Sequence, residues 1–507
     1  MDLFANLSLG FSVALSPANL LYCLVGVTVG TLIGVLPGIG PMATIAILLP
    51  VTFGLDPVAA LIMLAGIYYG SMYGSAITSI LLNTPGHAAS AVVCLDGYPL
   101  ARNGQGGLAL VISALSSFVG GSLAIILVMT FAPMVAEFGL RFSSPEYFSM
   151  LILGLTAAAG LSQGSFIKGI AMVLLGLGIG TVGTDLTSGV QRFTFDNWNL
   201  ADGINFVILA MGFFAVTEIV FNLEQKGRST LVHTRFAMAD LTAAVRSFAR
   251  MWGAVLRGFG IGFTFGALPG SGPTIATFVA YSAEKSVARD SSRFGKGALE
   301  GVAGPESANN SASIAGLIPT LTLGVPGDAI MAMMLGALLI FGITPGPGVI
   351  VDEPELFWGL VASLWIGNVL LLALNIPLIG VWARVLTIPY KLLYPSILLF
   401  ICIGVFSINN RTFDIGLLAL FSVVGYVLAK LDFPAAPVLL GLILGPMIED
   451  HLRRALLMGR GDFSMFFTRP ISAILLLATL GIVIYVIVST IQQARQARAR
   501  DETEVRQ

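Results

Sequence analysis

Leu36-Pro37-Gly38-Ile39-Gly40-Pro41 recurs as Leu268-Pro269-Gly270-Ser271-Gly272-Pro273, with Ile39 against Ser271 as the one difference. Both copies interrupt sequence that is apolar enough to enter a bilayer. Pro lacks the N–H that a helix ladder uses, and Gly reaches backbone conformations that other residues avoid. Unwound backbone deep in lipid is tolerated only where it lines a cavity or is buried in protein. Its freed groups can serve a solute. Half-helix N-termini aim N–H groups and a positive dipole end at carboxylate oxygens, and freed carbonyls suit a hard cation such as Na+.

A second pair of breaks follows in the same order. Asn83-Thr84-Pro85-Gly86-His87 aligns with Gly324-Val325-Pro326-Gly327-Asp328. The candidate substrate- and ion-binding residues are therefore Pro37, Gly38, Gly40, Pro41 and Thr44, then Asn83, Thr84, Pro85 and Gly86 in the first half. In the second half they are Pro269, Gly270, Ser271, Gly272, Pro273 and Thr274, with Thr277 nearby, then Pro326 and Gly327. Asn309 and Asn310 join them, because two neutral amides entering an apolar segment need partners. A Na+ ion is expected on backbone carbonyls near Gly38, Gly270 and Asn310. His87 and Asp328 occupy equivalent places; intramembrane ionisable groups suggest function, but capping a helix after Pro-Gly is an equally simple role. Capping is also the simplest role for Glu306. Snorkelling or capping accounts for Lys168, Glu218 and Asp185.

The elements that must position these residues are apolar helices. The 507 residues are 56% hydrophobic and 10% charged, with a mean hydropathy of +0.91, whereas soluble proteins carry roughly 25% charge. This implies an all-α polytopic membrane protein of about 11–12 spans of roughly 20 residues, some re-entrant or broken. The net charge of −1 argues against a nucleic-acid partner. Cys23, Cys94 and Cys402 lack metal-ligand spacing. The N-terminus has no positive region of a cleavable signal. Trp198, Trp358, Trp365 and Trp382 are expected at membrane interfaces.

Four regions are expected: a first membrane repeat over 1–223, a cytoplasmic linker over 224–257, a second repeat over 258–450, and a C-terminal part over 451–507. The linker carries Lys226, Arg228, Arg235, Arg246, Arg250 and Arg257, the bias of cytoplasmic loops. Basic sequence also follows the second hexapeptide copy (Lys285, Arg289, Arg293, Lys296), whereas none flanks the first. Hairpins entering from opposite faces would make the repeats inverted. Basic residues in both 449–469 and the tail leave the topology there open. No nucleotide-binding loop or His-Glu-x-x-His motif exists, so an enzyme is not expected, nor is a cofactor beyond a coupling cation, Na+ or H+.

Six motifs in this order resemble a known family: Leu36–Pro41, Leu82-Asn-Thr-Pro-Gly86, Leu95-Asp-Gly-Tyr-Pro99, Ala267–Pro273, Glu306-Ser-Ala-Asn-Asn310 and Leu317–Asp328. Together, over roughly 18–450, the chain resembles the large membrane (permease) subunit of the tripartite tricarboxylate transporters. The resemblance implies a cation-coupled secondary importer in the bacterial inner membrane. It also implies a periplasmic solute-binding protein and a small membrane subunit of about four spans as partners. Tricarboxylates or related organic acids would be the substrates. A stand-alone ion-coupled carboxylate symporter is the alternative; a channel and an intramembrane enzyme are weaker rivals.

Overall fold

The computed structural model describes residues 3–36, 39–161, 165–185, 187–224, 232, 238–268, 270, 272–388 and 390–504. Pro37, Gly38, Pro269 and Ser271 of the expected site, and Lys226, Arg228 and Arg235 of the expected linker, lie outside them. The described chain is all-α and polytopic, apart from a two-residue antiparallel pair, Gly183–Thr184 (β1) with Gln191–Arg192 (β2). Among the described residues, seven helices are long and apolar enough to cross a membrane. Shorter apolar helices, including Pro41–Thr52 and Ala329–Ile340, accompany them. The expected 11–12 spans thus include half-length pieces, because Pro and Gly cut the apolar segments.

By contacts the chain divides into two compact units, Met1–Leu140 with Asn205–Leu428, and Arg141–Ile204 with Ala429–Gln507. The first contains both sets of breaks. Its early half runs α1 (Pro17–Gly34), α2 (Pro41–Leu48), α3 (Pro57–Leu82), α4 (Ala91–Leu100) and α5 (Gly106–Gly139). The second unit begins with α6 (Ser144–Leu161) and α7 (Phe166–Gly180). The first unit then resumes with α8 (Thr217–Glu224), α9 (Trp252–Gly266), α10 (Gly272–Val287), α11 (Glu300–Ala315), α12 (Leu317–Leu323), α13 (Ala329–Ile340) and α14 (Pro354–Asn375). Finally α15 (Ala436–Met458) and α16 (Pro470–Glu504) belong to the second unit.

Prolines begin several of these helices. Pro17, Pro41 and Pro57 sit in the first turn, where the missing N–H has no helical partner to lose. The Ser16 hydroxyl and the Asp56 carboxylate cap α1 and α3. Both α3 and α12 end on left-handed residues at equivalent positions, Asn83 (φ 55) and Gly324 (φ 70), which releases the chain into the second break.

The two halves share a packing device. Gly26, Gly30 and Gly34 of α1 press on Met63, Ile67 and Ser71 of α3. In the register that puts Leu36 over Leu268, Gly258, Gly262 and Gly266 of α9 press on Gly304, Ala308 and Ala312 of α11. A Cβ at Gly30 would stand 2.3 Å from the Ile67 carbonyl oxygen, and one at Gly262 2.3 Å from that of Ala308. Small residues spaced by four let backbones touch where lipid offers little hydrophobic drive. Ser307 and Ser311 hydroxyls donate across the second interface to the Val255 and Phe259 carbonyls, at 2.8 and 2.9 Å.

In the second unit, α7 and α15 meet through Gly176 and Gly441, each against the other helix's backbone. Arg453 bridges Asp185 and Glu449, and Arg192 also reaches Glu449. Arg453, together with the Ser188 hydroxyl and Thr187 N–H, holds the Asp185 carboxyl below the usual carboxylate range.

Several expectations are corrected. Residues 141–204 of the expected first repeat and 429–450 of the expected second both fall in the second compact unit. Within the expected linker, Met238–Phe248 is helical and Arg257 lies in α9, bound to Glu284 of α10 at 2.7 Å. Trp358 and Trp382 are buried in protein rather than set out as interfacial anchors, whereas Trp198 is exposed.

The glycine ladder yields a paired test. Gly262→Val should destabilise the protein by about 3 kcal/mol through overpacking, read as a lower melting temperature in detergent. Gly260→Val on the same helix, with nothing within 4 Å of its Cβ position, should melt near wild type. Equal melting temperatures would refute the ladder.

Candidate functional site

The breaks within each half meet one another. In the first, a Cβ on Gly40 would lie 3.5 Å from the Gly86 carbonyl oxygen, and one on Gly86 would collide with Ser75 at 2.4 Å. In the second, the Gly270 N–H donates to the Gly327 carbonyl at 2.8 Å, and Gly272 lies against Asp328. Gly270 (φ 79) and Gly272 (φ 53) occupy the left-handed region that favours glycine.

The halves also interlock. Helix α2, which follows the first break, packs against α13, which follows the fourth. Helix α10, which follows the third, packs against the turn 88–90 after the second. The Tyr68 hydroxyl of α3 donates to Asp328 Oδ2 at 3.3 Å.

Of the expected residues, Gly40, Pro41, Thr44, Gly86, Gly272, Pro273, Pro326 and Gly327 are buried, and Thr84, Gly270 and Thr274 partly so. Asn83 and Pro85 face outward. Some expected donors are already engaged. The Thr44 hydroxyl donates to the Gly40 carbonyl at 3.0 Å, Thr84 to Leu82 at 3.3 Å, and Thr277 to Thr274 at 2.9 Å. His87 and Asp328 are both helix N-caps with extended backbones. His87 Nδ1 accepts the Ala89 N–H at 3.1 Å, and Asp328 Oδ1 accepts the Met331 N–H at 2.7 Å.

Glu218 of α8 adds a contact that no sequence signal paired with the first break. Its Oε1 accepts the Gly40 N–H at 3.2 Å, so a carboxyl group already rests at the N-terminus of α2. Helix α8 continues from a π-helical turn over Met211–Val216, an irregularity often found at functional sites.

Beside the breaks lies a buried polar layer on α3, α5, α11 and α14. Glu306 sits inside α11, not at its start, so it is no cap. Its Oε2 accepts the Ser117 hydroxyl at 2.8 Å. Tyr73 donates to Asn368 Oδ1 at 3.1 Å, and Asn368 Nδ2 reaches the Phe118 carbonyl and the Ser122 hydroxyl, both at 2.9 Å. Several buried atoms make no hydrogen bond: Glu306 Oε1, both amide atoms of Asn309, Asn310 Oδ1, the Tyr69 hydroxyl and His87 Nε2. Such orphans are rare in native interiors and call for a cause. A cavity of about 10 Å³ borders the layer at Tyr73, Ser113 and Asn375. A second of about 10 Å³ lies between Tyr68, Tyr69, Ser313 and Met331. Each admits about one water or bare ion, not an organic acid.

The model of the tripartite tricarboxylate transporter TctA family matches residues 20–440. The chain belongs to that family. It is therefore a multi-pass membrane protein of a family of tricarboxylate transporter components, not of an enzyme family. An uncharacterized 52.8 kDa protein in the TAR-I ttuC' 3' region of Agrobacterium vitis is 48% identical over 98% of both chains. An uncharacterized protein in the TAR-II ttuC' 3' region of the same organism is 50% identical over 46% of this chain and 97% of its own. No solved structure matches.

Glu218→Ala should strip the α2 N-terminus of its acceptor and cost about 1–2 kcal/mol of stability. Glu218→Gln, whose amide oxygen still accepts from Gly40, should recover most of it. Thermal melts of the three proteins check this; equal losses from both variants would mean that the contact contributes nothing.

Proposed function

We propose that this chain is the large permease subunit of a tripartite importer of tricarboxylates or related organic acids in the bacterial inner membrane. A periplasmic solute-binding protein delivers the acid, a small membrane subunit of about four spans completes the complex, and Na+ or H+ drives uptake. One observation carries the substrate class: the Glu218 carboxylate on the Gly40 N–H. A helix N-terminus that accepts one carboxylate is chemically suited to another. The interlocked breaks supply the backbone groups, and the two halves, entering from opposite faces, would form an inverted pair.

The small cavities fit a closed state of an alternating-access cycle. The acid would enter when the breaks of one half part from α13 or α10 of the other. Substrate would then displace Glu218 from Gly40 and compete for the Gly270 N–H. The cation must favour the substrate-bound state; coupling is that difference in affinity.

Reconstitution tests the assembly. The chain and its two cognate partners in proteoliposomes should accumulate radiolabelled citrate or a related acid under a cation gradient, and omission of either partner should abolish uptake. Uptake by the chain alone would establish a stand-alone symporter instead. Flux unaffected by the cation gradient would establish a channel.

Gly270→Val should reduce uptake by about tenfold or more, because Val in the left-handed region costs about 1–2 kcal/mol and shifts the backbone next to Gly327. Membrane insertion, read by detergent-extracted yield, should persist. Wild-type uptake by this variant would remove the third break from the site.

A further inference from the structure

The buried layer on α11 poses a question that the breaks do not answer. Glu306 is fully buried within its helix. One carboxylate oxygen accepts from Ser117, and the other accepts nothing. None of the ion pairs found among the described residues reaches it. Asn309 and Asn310 follow at helical spacings of three and four, so all three side chains project from adjoining parts of one helix face. Asn310 is tied to Glu306 directly, its Nδ2 donating to the Glu306 carbonyl at 3.1 Å. That bond leaves Asn310 Oδ1 free, and Asn309 Oδ1 is likewise without a donor. Three oxygens without donors, one of them on a carboxyl group, are thus buried on one helix.

The Ser113 and Ser117 hydroxyls reach the Glu306 carboxyl but leave its Oε1 without a donor. Around Glu306 the neighbouring helices supply hydroxyls: Ser113 and Ser117 from α5 and Tyr73 from α3. The nearer charged groups are already committed. Glu284 of α10 is bound to Arg257 of α9. Asp96 of α4 is held by the N–H groups of Gly295, Gly297 and Ala298 and by the Tyr281 hydroxyl. A buried carboxylate without a counter-charge is strongly unfavourable, and a paired one much less so.

The geometry points to a monovalent cation site built from Glu306 Oε1, Asn309 Oδ1 and Asn310 Oδ1, and we assign Na+ as its occupant. Oxygen-only ligands suit a hard ion. A single carboxylate among neutral amides balances one positive charge and leaves a divalent ion uncompensated. The assignment rests on the importer reading for its purpose and goes beyond it in naming the ion and the charged ligand. It keeps the expected Asn310 and moves the ion from the carbonyls near Gly38 and Gly270 to side chains of α11, where Glu306 is a ligand and not a cap.

Thermal melting of the purified full-length chain, in NaCl against choline chloride with KCl and LiCl as comparisons, tests the site. Na+ should raise the melting temperature of the wild type in a saturable way. Glu306→Gln should weaken that response roughly tenfold or more in midpoint concentration, and Asn310→Ala less. In choline chloride Glu306→Gln should melt at or above the wild type, since it removes an uncompensated buried charge, so a misfolded variant would be recognised. An equal response of the wild type to Na+ and choline would overturn the site, as would an unaltered Na+ midpoint in Glu306→Gln. A response to K+ in place of Na+ would overturn the choice of ion. Carboxylate uptake by the wild-type complex is scored separately: its absence alongside Na+ binding would sink the importer reading and leave the ion site standing.

Discussion

An interrupted helix inside an apolar protein must find partners for the N–H and C=O groups it releases. Each unpaired group costs a few kcal/mol, so a break cannot stand alone. Here each half solves the problem by bringing its two interruptions together: Gly40 beside Gly86, Gly270 bonded to Gly327. The requirement explains why the breaks come in pairs and why α1 and α9 approach α3 and α11 to backbone contact. A ladder of small residues is the packing that lets two unwound segments reach each other across helices that carry them.

The local part of this arrangement was legible in the sequence because Pro and Gly act on their own backbone. Pro41 begins a helix wherever its neighbours fold, and Asn83 and Gly324 both end one. Spacing carried more than was read from it. Gly26, Gly30 and Gly34 recur as Gly258, Gly262 and Gly266 in the same register as the hexapeptide, so the ladder could have been predicted from the interval rather than from glycine abundance. Glu306 was misread because Pro305 before it resembles a helix start; α11 begins at Glu300 and carries Pro305 inside. The pairing of Glu218 with Gly40 bridges 178 residues and has no local signature. Neither has the departure of α15 into a separate unit, since apolar spans look alike until their partners are known.

Capping and binding are not opposed roles for His87 and Asp328. Each holds the first turn of the helix that leaves its break, and each lies where α10 or α3 arrives. A side chain that fixes a helix start also fixes the N–H groups beside it, so the caps position the site whether or not they touch a ligand.

Unequal satisfaction of the two regions has a consequence for coupling. The described break amides at Gly40 and Gly270 have internal partners, so their segments are stable without substrate and can exchange one acceptor for another at modest cost. Glu306 Oε1, Asn309 Oδ1 and Asn310 Oδ1 have none, so an ion bound there as proposed would relieve buried groups that are otherwise unpaired. A ligand shifts a conformational equilibrium only by the difference in its affinity for the two states. An ion that relieves such a burial would have a large difference available, whereas an acid that replaced Glu218 at Gly40, as proposed, would have a small one. If a cation fills the α11 site as proposed, the ion rather than the acid would bias which conformation is occupied.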